Sequence, residues 1–241
     1  MNGLKYRLVC TTWVQSVDRL WVCVVLIELM KNSPERKIIV AKRIFDIVFS
    51  LIILALTLPF VVLALACIKC EQILRGRPFD PFFYSETRHS YGQPFTLYKF
   101  NIFKYEEILA ARARGEFIHT KRYEHNGGIL KTGWILKQIY MDELPQFWSV
   151  LKGDMSIIGP RPVNTEVYHQ LKERGSHDKD RVPAGITGHF QSQKENRHAD
   201  AINMDKEYAD LYHSLPWYRL LAFDLLIIWR TLIVIVRARG I

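Results

Sequence analysis

Residues 47–68 are 22 consecutive residues without a charged side chain, enough as a helix to reach across the hydrocarbon core of a bilayer. No other feature constrains the fold as strongly. Both flanks of the run are basic, with Lys37, Lys42 and Arg43 before it and Lys69, Arg75 and Arg77 after it. Basic flanks tend to stay on the cytoplasmic side, so a pair of them disfavours a simple crossing. Pro59 lies in the middle of the run, where it removes one backbone hydrogen bond and bends the helix. A helix that enters one leaflet, turns at Pro59 and returns satisfies both facts. A kinked transmembrane helix is the competing reading, because membrane helices tolerate proline.

The two ends of the chain carry further apolar segments. Residues 1–37 do not read as a signal peptide. The stretch 21–29 follows Asp18-Arg19, is interrupted at Glu28 and has no small-residue cleavage site. An amphipathic helix lying on the membrane is expected there, with Ser33-Pro34 as a linker. Near the C-terminus, Arg219, Arg230 and Arg237 are spaced by 11 and 7 residues. At about 100° per residue they fall within about 20° of one another on a helix face. An arginine stripe opposite Leu, Ile, Val and Trp suits a helix in the headgroup plane. A transmembrane helix with Arg230 near its centre would be costly. A core-packed helix with a solvated stripe is the alternative.

The stretch MDELPQFWSVLKGDMSIIGPRPV, residues 141–163, carries the chemistry. Proline is tolerated in the first turn of a helix, so a helix through Gln146 begins near Met141–Leu144. Leu144, Phe147, Trp148 and Leu151 then share one apolar face. Lys152 falls in the last turn, and Gly153 suits the residue after it. Asp142 and Glu143 become adjacent carboxylates at a helix N-terminus, where a depressed pKa is expected to keep both ionised. Ionised carboxylates there can attack an electrophile or bind a divalent metal. The plainer reading is acidic residues stabilising a helix start. In Gly159-Pro160-Arg161-Pro162 two prolines stiffen the chain around one arginine. Such an arginine offers a planar donor fork at low entropic cost, suited to phosphate or pyrophosphate. The plainer reading is a rigid surface turn.

Composition agrees. The 241 residues allow one ordinary domain plus membrane-associated segments. With 33 Lys+Arg against 24 Asp+Glu the formal charge is +9, which favours anionic partners: membrane lipid, nucleotide diphosphates or nucleic acid. Nucleic acid is the weaker option, since no helix-turn-helix, zinc or RNP pattern is present. Four cysteines do not make a disulfide framework at this size. Cys67 and Cys70 form a C-x-x-C without a second ligand pair, and read as buried or lipid-facing thiols rather than a zinc site.

DELPQ, VLKGDMS, GPRP and a later GITG together resemble the bacterial sugar transferases, the monotopic polyprenyl-phosphate phosphoglycosyl transferases, over residues 41–237. The resemblance implies that Asp142 is a nucleophile, Glu143 its carboxylate partner and Mg2+ the required ion at this pair. It also implies a UDP-sugar and polyprenyl phosphate as substrates, and a re-entrant membrane hairpin. The location implied is the bacterial inner membrane, with the catalytic domain on the cytoplasmic face. Glu143 would bind metal or remove a proton, and Arg161, with Arg88 or Lys137, would hold phosphate. Arg88, Phe95, Tyr98, Lys99 and Phe100 match the family's Arg-x-Gly…Phe-x-x-Tyr-Lys-Phe-Arg segment. A short strand is expected there after a Gly92-Gln93-Pro94 turn. A short helix is expected over 105–114, followed by a solvated connector to residue 128.

The chain departs from the family pattern at several positions. Asn101 stands for an arginine, Ser90 for a glycine, and Lys137 for an arginine, keeping charge without the bidentate fork. Ala184 is an extra residue in the Pro-Gly-Ile-Thr-Gly segment, and Lys194-Glu195 replaces Gly-Arg, with Arg197 as a substitute cation.

The resulting expectation is an α-rich α+β chain: a small globular domain with an N-terminal re-entrant membrane helix hairpin and amphipathic interfacial helices. Residues 1–37 form the extension, 38–70 the re-entrant helix and 71–241 the catalytic domain ending in the membrane-surface helix. A homo-oligomer is left open. The rival function is a catalytically impaired homologue acting as a membrane-bound partner subunit.

Overall fold

A computed structural model describes residues 34–113, 128–193 and 200–237. The expected helix within 1–37 therefore falls almost wholly outside the described residues, as do Arg197 and Lys194-Glu195. Helix α1, Pro34–Leu74, runs 41 residues with Pro59 inside it, beginning and ending beyond the expected 38–70. Among the described residues it is the one helix long and apolar enough to cross a membrane, over Val40–Leu74, by length and composition. Its middle is exposed at Leu51, Ile52, Leu56, Leu58 and Phe60, whereas Lys42, Asp46 and Ser50 on one side and Ala64, Ile68 and Gln72 on the other are buried. Thr57 Oγ1 donates to the Ile53 carbonyl at 2.7 Å, two residues before Pro59, a bond that favours bending. Cys67 and Cys70 are exposed on this helix.

The basic flank of α1 is not a set of free headgroup cations. Lys42 is 2 % exposed and pairs with Asp224 at 2.7 Å, and Arg43 donates to the carbonyls of Val150 and Leu151. The flanking-charge argument therefore loses two of its charges to the domain. A buried pair of this kind is costly to break from one side, about 3–5 kcal/mol, because the remaining charge is stranded.

Strands β1, Phe83–Ser90, and β2, Gln93–Phe100, form an antiparallel hairpin. The turn sits one residue earlier than expected, at Tyr91-Gly92, with φ of 51° and 70°. A two-residue hairpin loop of the I′ kind needs positive φ at both central positions. Proline cannot supply that, so Pro94 pairs within the strand, opposite His89. The strand β1 was not expected from the sequence, because its alternation is broken by Glu86, Arg88 and His89.

Helix α2, Tyr105–Ala113, follows as expected, then helix α3, Lys131–Gln138, and helix α4, Gln146–Lys152. Strand β3, Ser156–Ile158, leads into the GPRP loop and pairs in parallel with β4, Gly185–Thr187. Between them lie helices α5, Thr165–Glu173, and α6, Asp178–Arg181. Helices α7, Ala201–Ser214, and α8, Trp217–Val236, close the described chain. The α-rich α+β expectation holds.

Two apolar clusters organise the domain. The first gathers Val150, Ile157, Ile158, Val182, Tyr208, Leu220 and Ile227, with Phe45, Phe49 and Phe147 packed against it. The second gathers Tyr84, Phe100, Ile102, Ile108 and Leu136 with Ala64 and Ile68 of α1, and takes in Val61, Leu65, Met141 and Leu144. Residues 141–147 run along the seam. Helix α8 buries Leu220, Asp224, Ile227 and Val234 and leaves Trp217, Leu225, Trp229 and Val236 exposed. Arg219 is exposed and Arg230 half-buried.

Candidate active site

Helix α3 ends at Gln138, and Tyr140 takes a left-handed φ of 57°. That conformation is strained for a tyrosine and persists only where its surroundings hold it. It breaks the helix, so Met141–Glu143 wind as a single 3-10 turn. Pro145 then occupies the position before α4, with φ of −59° already helical and no N–H to satisfy. Gly153 ends α4 at φ 90°, as its place after Lys152 implied.

The apolar face read from the sequence is divided: Leu144 and Phe147 pack against the two clusters and Leu151 is half-buried, whereas Trp148 turns outward. In α4 the buried residues are Gln146, Ser149 and Val150, and Trp148 is 59 % exposed. Apolar spacing identified the helix and most of its packed side but not Trp148, an exposed apolar side chain suited to an interaction surface.

Asp142 is 7 % exposed. Glu143 Oε1 accepts from Lys99 Nζ at 2.9 Å and from Arg161 Nη2 at 3.0 Å. Adjacent residues thereby acquire opposite properties. Burial, reinforced by the Glu143 charge, pushes the Asp142 carboxyl up to about 6, against the pull of Lys99 and Lys137. Burial acts in the same direction on Glu143, but Lys99 and Arg161 outweigh it and bring that carboxyl down to about 2. The expectation that helix-terminal geometry depresses both is therefore corrected. Glu143 is held ionised, while Asp142 is far more basic than an ordinary carboxylate.

Lys99 is the residue the sequence reading passed over. It was matched within a motif but given no role. Period-2 alternation places it on the same strand face as Phe95 and Leu97, which pack into the domain. An inward-facing lysine requires a carboxylate partner, and that was the available signal.

Arg161 leaves β3 through Gly159, whose amide donates to Thr187 O at 3.0 Å. A Cβ at Gly159 would lie 2.2 Å from Pro183 O, so only glycine permits this approach. Lys179 donates to Arg161 O at 3.0 Å and pairs with Asp205 at 2.6 Å, fixing the loop from behind. Arg88 lies beside this loop, bonded to Glu86 at 2.7 Å and to Pro162 O at 3.2 Å. Its guanidinium braces the GPRP backbone. Lys137 stands in the last turn of α3, near enough to act on Asp142. Pro59 lies in the exposed middle of α1.

Two departures from the family pattern meet in space: Ser90 Oγ accepts from the amide of Ala184 at 3.0 Å. Asn101 is fully buried, donating to Pro81 O at 3.1 Å and accepting from the Phe103 amide. It shapes a loop and has no place at the carboxylates.

The residues present fit magnesium of the kind that keeps several positions for substrate. Asp142 and Glu143 are adjacent oxygen donors, and both cations engage Oε1 of Glu143, so Oε2 is taken by neither. One or two carboxylates plus phosphate oxygens is the usual magnesium arrangement. Among the described residues no group of three or more His, Cys, Asp or Glu forms a cage.

Residues 37–238 match the bacterial sugar transferase family. The chain is 29 % identical over 180 residues to the uncharacterized sugar transferase EpsL of Bacillus subtilis, covering 74 % of this chain and 79 % of that protein. It is 30 % identical over 229 residues to the undecaprenyl-phosphate galactose phosphotransferase of Salmonella typhimurium, covering 90 % of this chain and 45 % of that one. With the UDP-glucose:undecaprenyl-phosphate glucose-1-phosphate transferase of Escherichia coli it shares 33 % over 196 residues, 79 % of this chain and 39 % of that one. The chain thus spans less than half of these last two relatives. The match covers α1, both carboxylates and the GPRP loop, and the chain belongs to the bacterial sugar transferase family.

Proposed function

We propose that this protein transfers a sugar phosphate from a UDP-sugar to a polyprenyl phosphate such as undecaprenyl phosphate, starting the synthesis of a surface glycan. The observation that carries the reading is the divided pair: a basic, buried Asp142 beside a Glu143 clamped by Lys99 and Arg161. With a pKa about 6, Asp142 is mostly ionised at neutral pH yet more nucleophilic than a solvated carboxylate. An Asp142 oxygen bonds to the sugar-bearing phosphorus, and the bond from that phosphorus to the bridging oxygen breaks, releasing UMP. A polyprenyl phosphate oxygen then attacks the same phosphorus, frees the Asp142 carboxylate and leaves polyprenyl diphosphate sugar.

Glu143, at about 2, is too weak a base to remove a proton near neutral pH. Its role is to orient Lys99 and Arg161 toward the diphosphate and to present Oε2 to magnesium. Magnesium, when bound by Asp142 and Glu143, supplies positive charge to the diphosphate oxygens. Lys137 lies close enough to assist with phosphate, while Arg88 positions the loop that carries Arg161. The impaired-homologue reading is not favoured, since Asp142, Glu143, Lys99 and Arg161 are present and engaged with one another.

The membrane reading is that α1 re-enters rather than crosses. Phe49 packs against the cluster that takes in Phe147, and Val61 against the cluster that takes in Leu144. The stretches of α1 before and after Pro59 thus each pack on the domain, and Pro59 with the nearby Thr57 bond to the Ile53 carbonyl supports a bend between them. Trp134, Ile135, Ile139 and Trp148, with the outward face of α8, are exposed apolar side chains suited to a lipid surface. These features support a protein seated on the cytoplasmic face of a bacterial inner membrane.

The deciding experiment incubates purified protein in lipid particles with magnesium and a panel of UDP-sugars, without acceptor. About one UMP per chain and a phosphosugar adduct on residues 141–152 are expected. A protein that turns over with acceptor yet never forms the adduct would have a direct-displacement mechanism instead.

A further inference from the structure

The turn bearing Asp142 and Glu143 is flanked by α3 and α4, and both are held by the same membrane helix. Arg43 of α1 donates to the carbonyls of Val150 and Leu151, the latter at 2.6 Å. These carbonyls close α4: Val150 O also accepts from the Gly153 amide, and Leu151 O is among the last four that a helix leaves open. Asp46, one turn along α1, accepts from Ser156 Oγ and from the Ile157 amide, each at 3.0 Å. That strand, β3, leads into Arg161. At the other end of α1, Glu71 accepts from the amides of Lys131 and Thr132 at 2.7 and 2.8 Å and from Thr132 Oγ1 at 2.7 Å. Those are the opening amides of α3, which ends just before the strained Tyr140.

Three polar side chains of α1 therefore grip the elements on each side of the carboxylates and the strand that delivers the arginine. Only Gly153, Asp154 and Met155 separate α4 from β3. The link is tied back to α4 by the amides of Asp154 and Met155 on the Ser149 carbonyl, and one turn of α1 holds α4 and β3 together from the other side.

We infer that Arg43, Asp46 and Glu71 are positioning residues that make the re-entrant helix part of the active-site frame, setting the register of the carboxylate turn against Arg161. Docking of α1 on the domain and assembly of the site are then one event, so the helix does more than anchor. None of the three touches the reacting atoms. They act through α3, α4 and β3.

This rests on the reaction proposed above, so the test includes a readout that does not require turnover. Full-length protein is placed in lipid particles as wild type, Arg43→Met, Arg43→Lys and Glu71→Gln, each checked by flotation and circular dichroism. Spin labels on exposed positions 148 and 166, in a chain whose own cysteines are replaced by serine, report the spacing of α4 from the segment after GPRP. Arg43→Met is expected to broaden that distance distribution and to lower kcat by about 10- to 100-fold, the cost of a misplacement of about 1 Å. Arg43→Lys should recover part of both. Combined with Arg161→Lys, the effect of Arg43→Met should shrink to threefold or less, because residues acting on one register are not additive.

Glu71→Gln removes no core group and should lower the rate of adduct formation with membrane binding unchanged. It covers the case in which Arg43→Met fails to fold. An unchanged distance distribution, multiplicative effects in the double variant, or full activity in Glu71→Gln would each overturn the inference. A wild type inert with every UDP-sugar but with a distribution that broadens in Arg43→Met would sink the reaction and leave the framing role standing.

Discussion

Replacing Asp142 with asparagine is expected to stabilise the protein while abolishing turnover. Folding carries this carboxyl from its usual 3.8 to about 6, a rise of about two units. At about 1.4 kcal/mol per unit, the folded site opposes the ionised form by about 3 kcal/mol. The folded state favours the protonated carboxyl, so that contribution is complete below about pH 4 and is lost as pH rises through 6. Asparagine is neutral at every pH and never loses it. The variant should gain little at pH 4 and about 1–3 kcal/mol at pH 7.5, the lower figure allowing for local relaxation. At about 2–4 °C per kcal/mol for a chain of this size, the melting temperature should rise by several degrees. The assay is thermal unfolding in lipid particles at pH 4 and 7.5, with a chelator present. Adding magnesium and UDP-sugar should narrow the gap, because those ligands favour the wild-type carboxylate. An asparagine variant less stable than wild type at pH 7.5, or one whose gain is the same at both pH values, would refute the reasoning.

Glu143→Gln should behave in the opposite sense, leaving Lys99 and Arg161 without an anion. It should cost about 3 kcal/mol at neutral pH, a contribution present above 4.5 and lost as pH falls through about 2. It should cripple steady-state turnover yet retain some trapped adduct, which mass spectrometry of residues 141–152 would detect. The pH profile of kcat/KM should show an acid limb near 6 in the wild type, and a limb near 4 would mean Asp142 is not the group that must ionise. Arg161→Lys keeps charge but loses the planar fork, so UDP-sugar use should weaken while flotation with membranes stays normal. Pro59→Leu should straighten α1 and shift some molecules toward a crossing topology, which cysteine labelling near residues 42 and 75 would report as opposite-side accessibility.

What was legible in the sequence was what local chemistry encodes. The apolar run, the Pro145 helix start, the Gly153 stop and the GPRP stiffness all rest on neighbours within a few residues. Asp142 and Glu143 were legible as a pair, but not their division of labour. That division depends on Lys99, 44 residues away in sequence on a strand, and on how deeply each carboxyl is buried. The outward turn of Trp148 was not legible, because apolar spacing assumes a watery exterior. Lys42 and Arg43 read as flanking charges, and their burial depends on partners at Asp224 and Val150 that no local pattern announces. Ser90 and Ala184 looked like two separate departures from the family pattern. They are one adjustment, since the added residue brings an amide that the serine hydroxyl receives.

The convergence of Lys99 and Arg161 on one oxygen of Glu143 has a thermodynamic consequence. That carboxylate already occupies both cations, so neither stands unpaired beside Asp142. In the proposed reaction a diphosphate would exchange one anion for another, and its affinity would be the difference between two ion pairings instead of the whole of one. UMP would leave by the reverse exchange, with Glu143 there to take the cations back. A site built this way gives up tightness of binding and in return avoids being trapped by its own product.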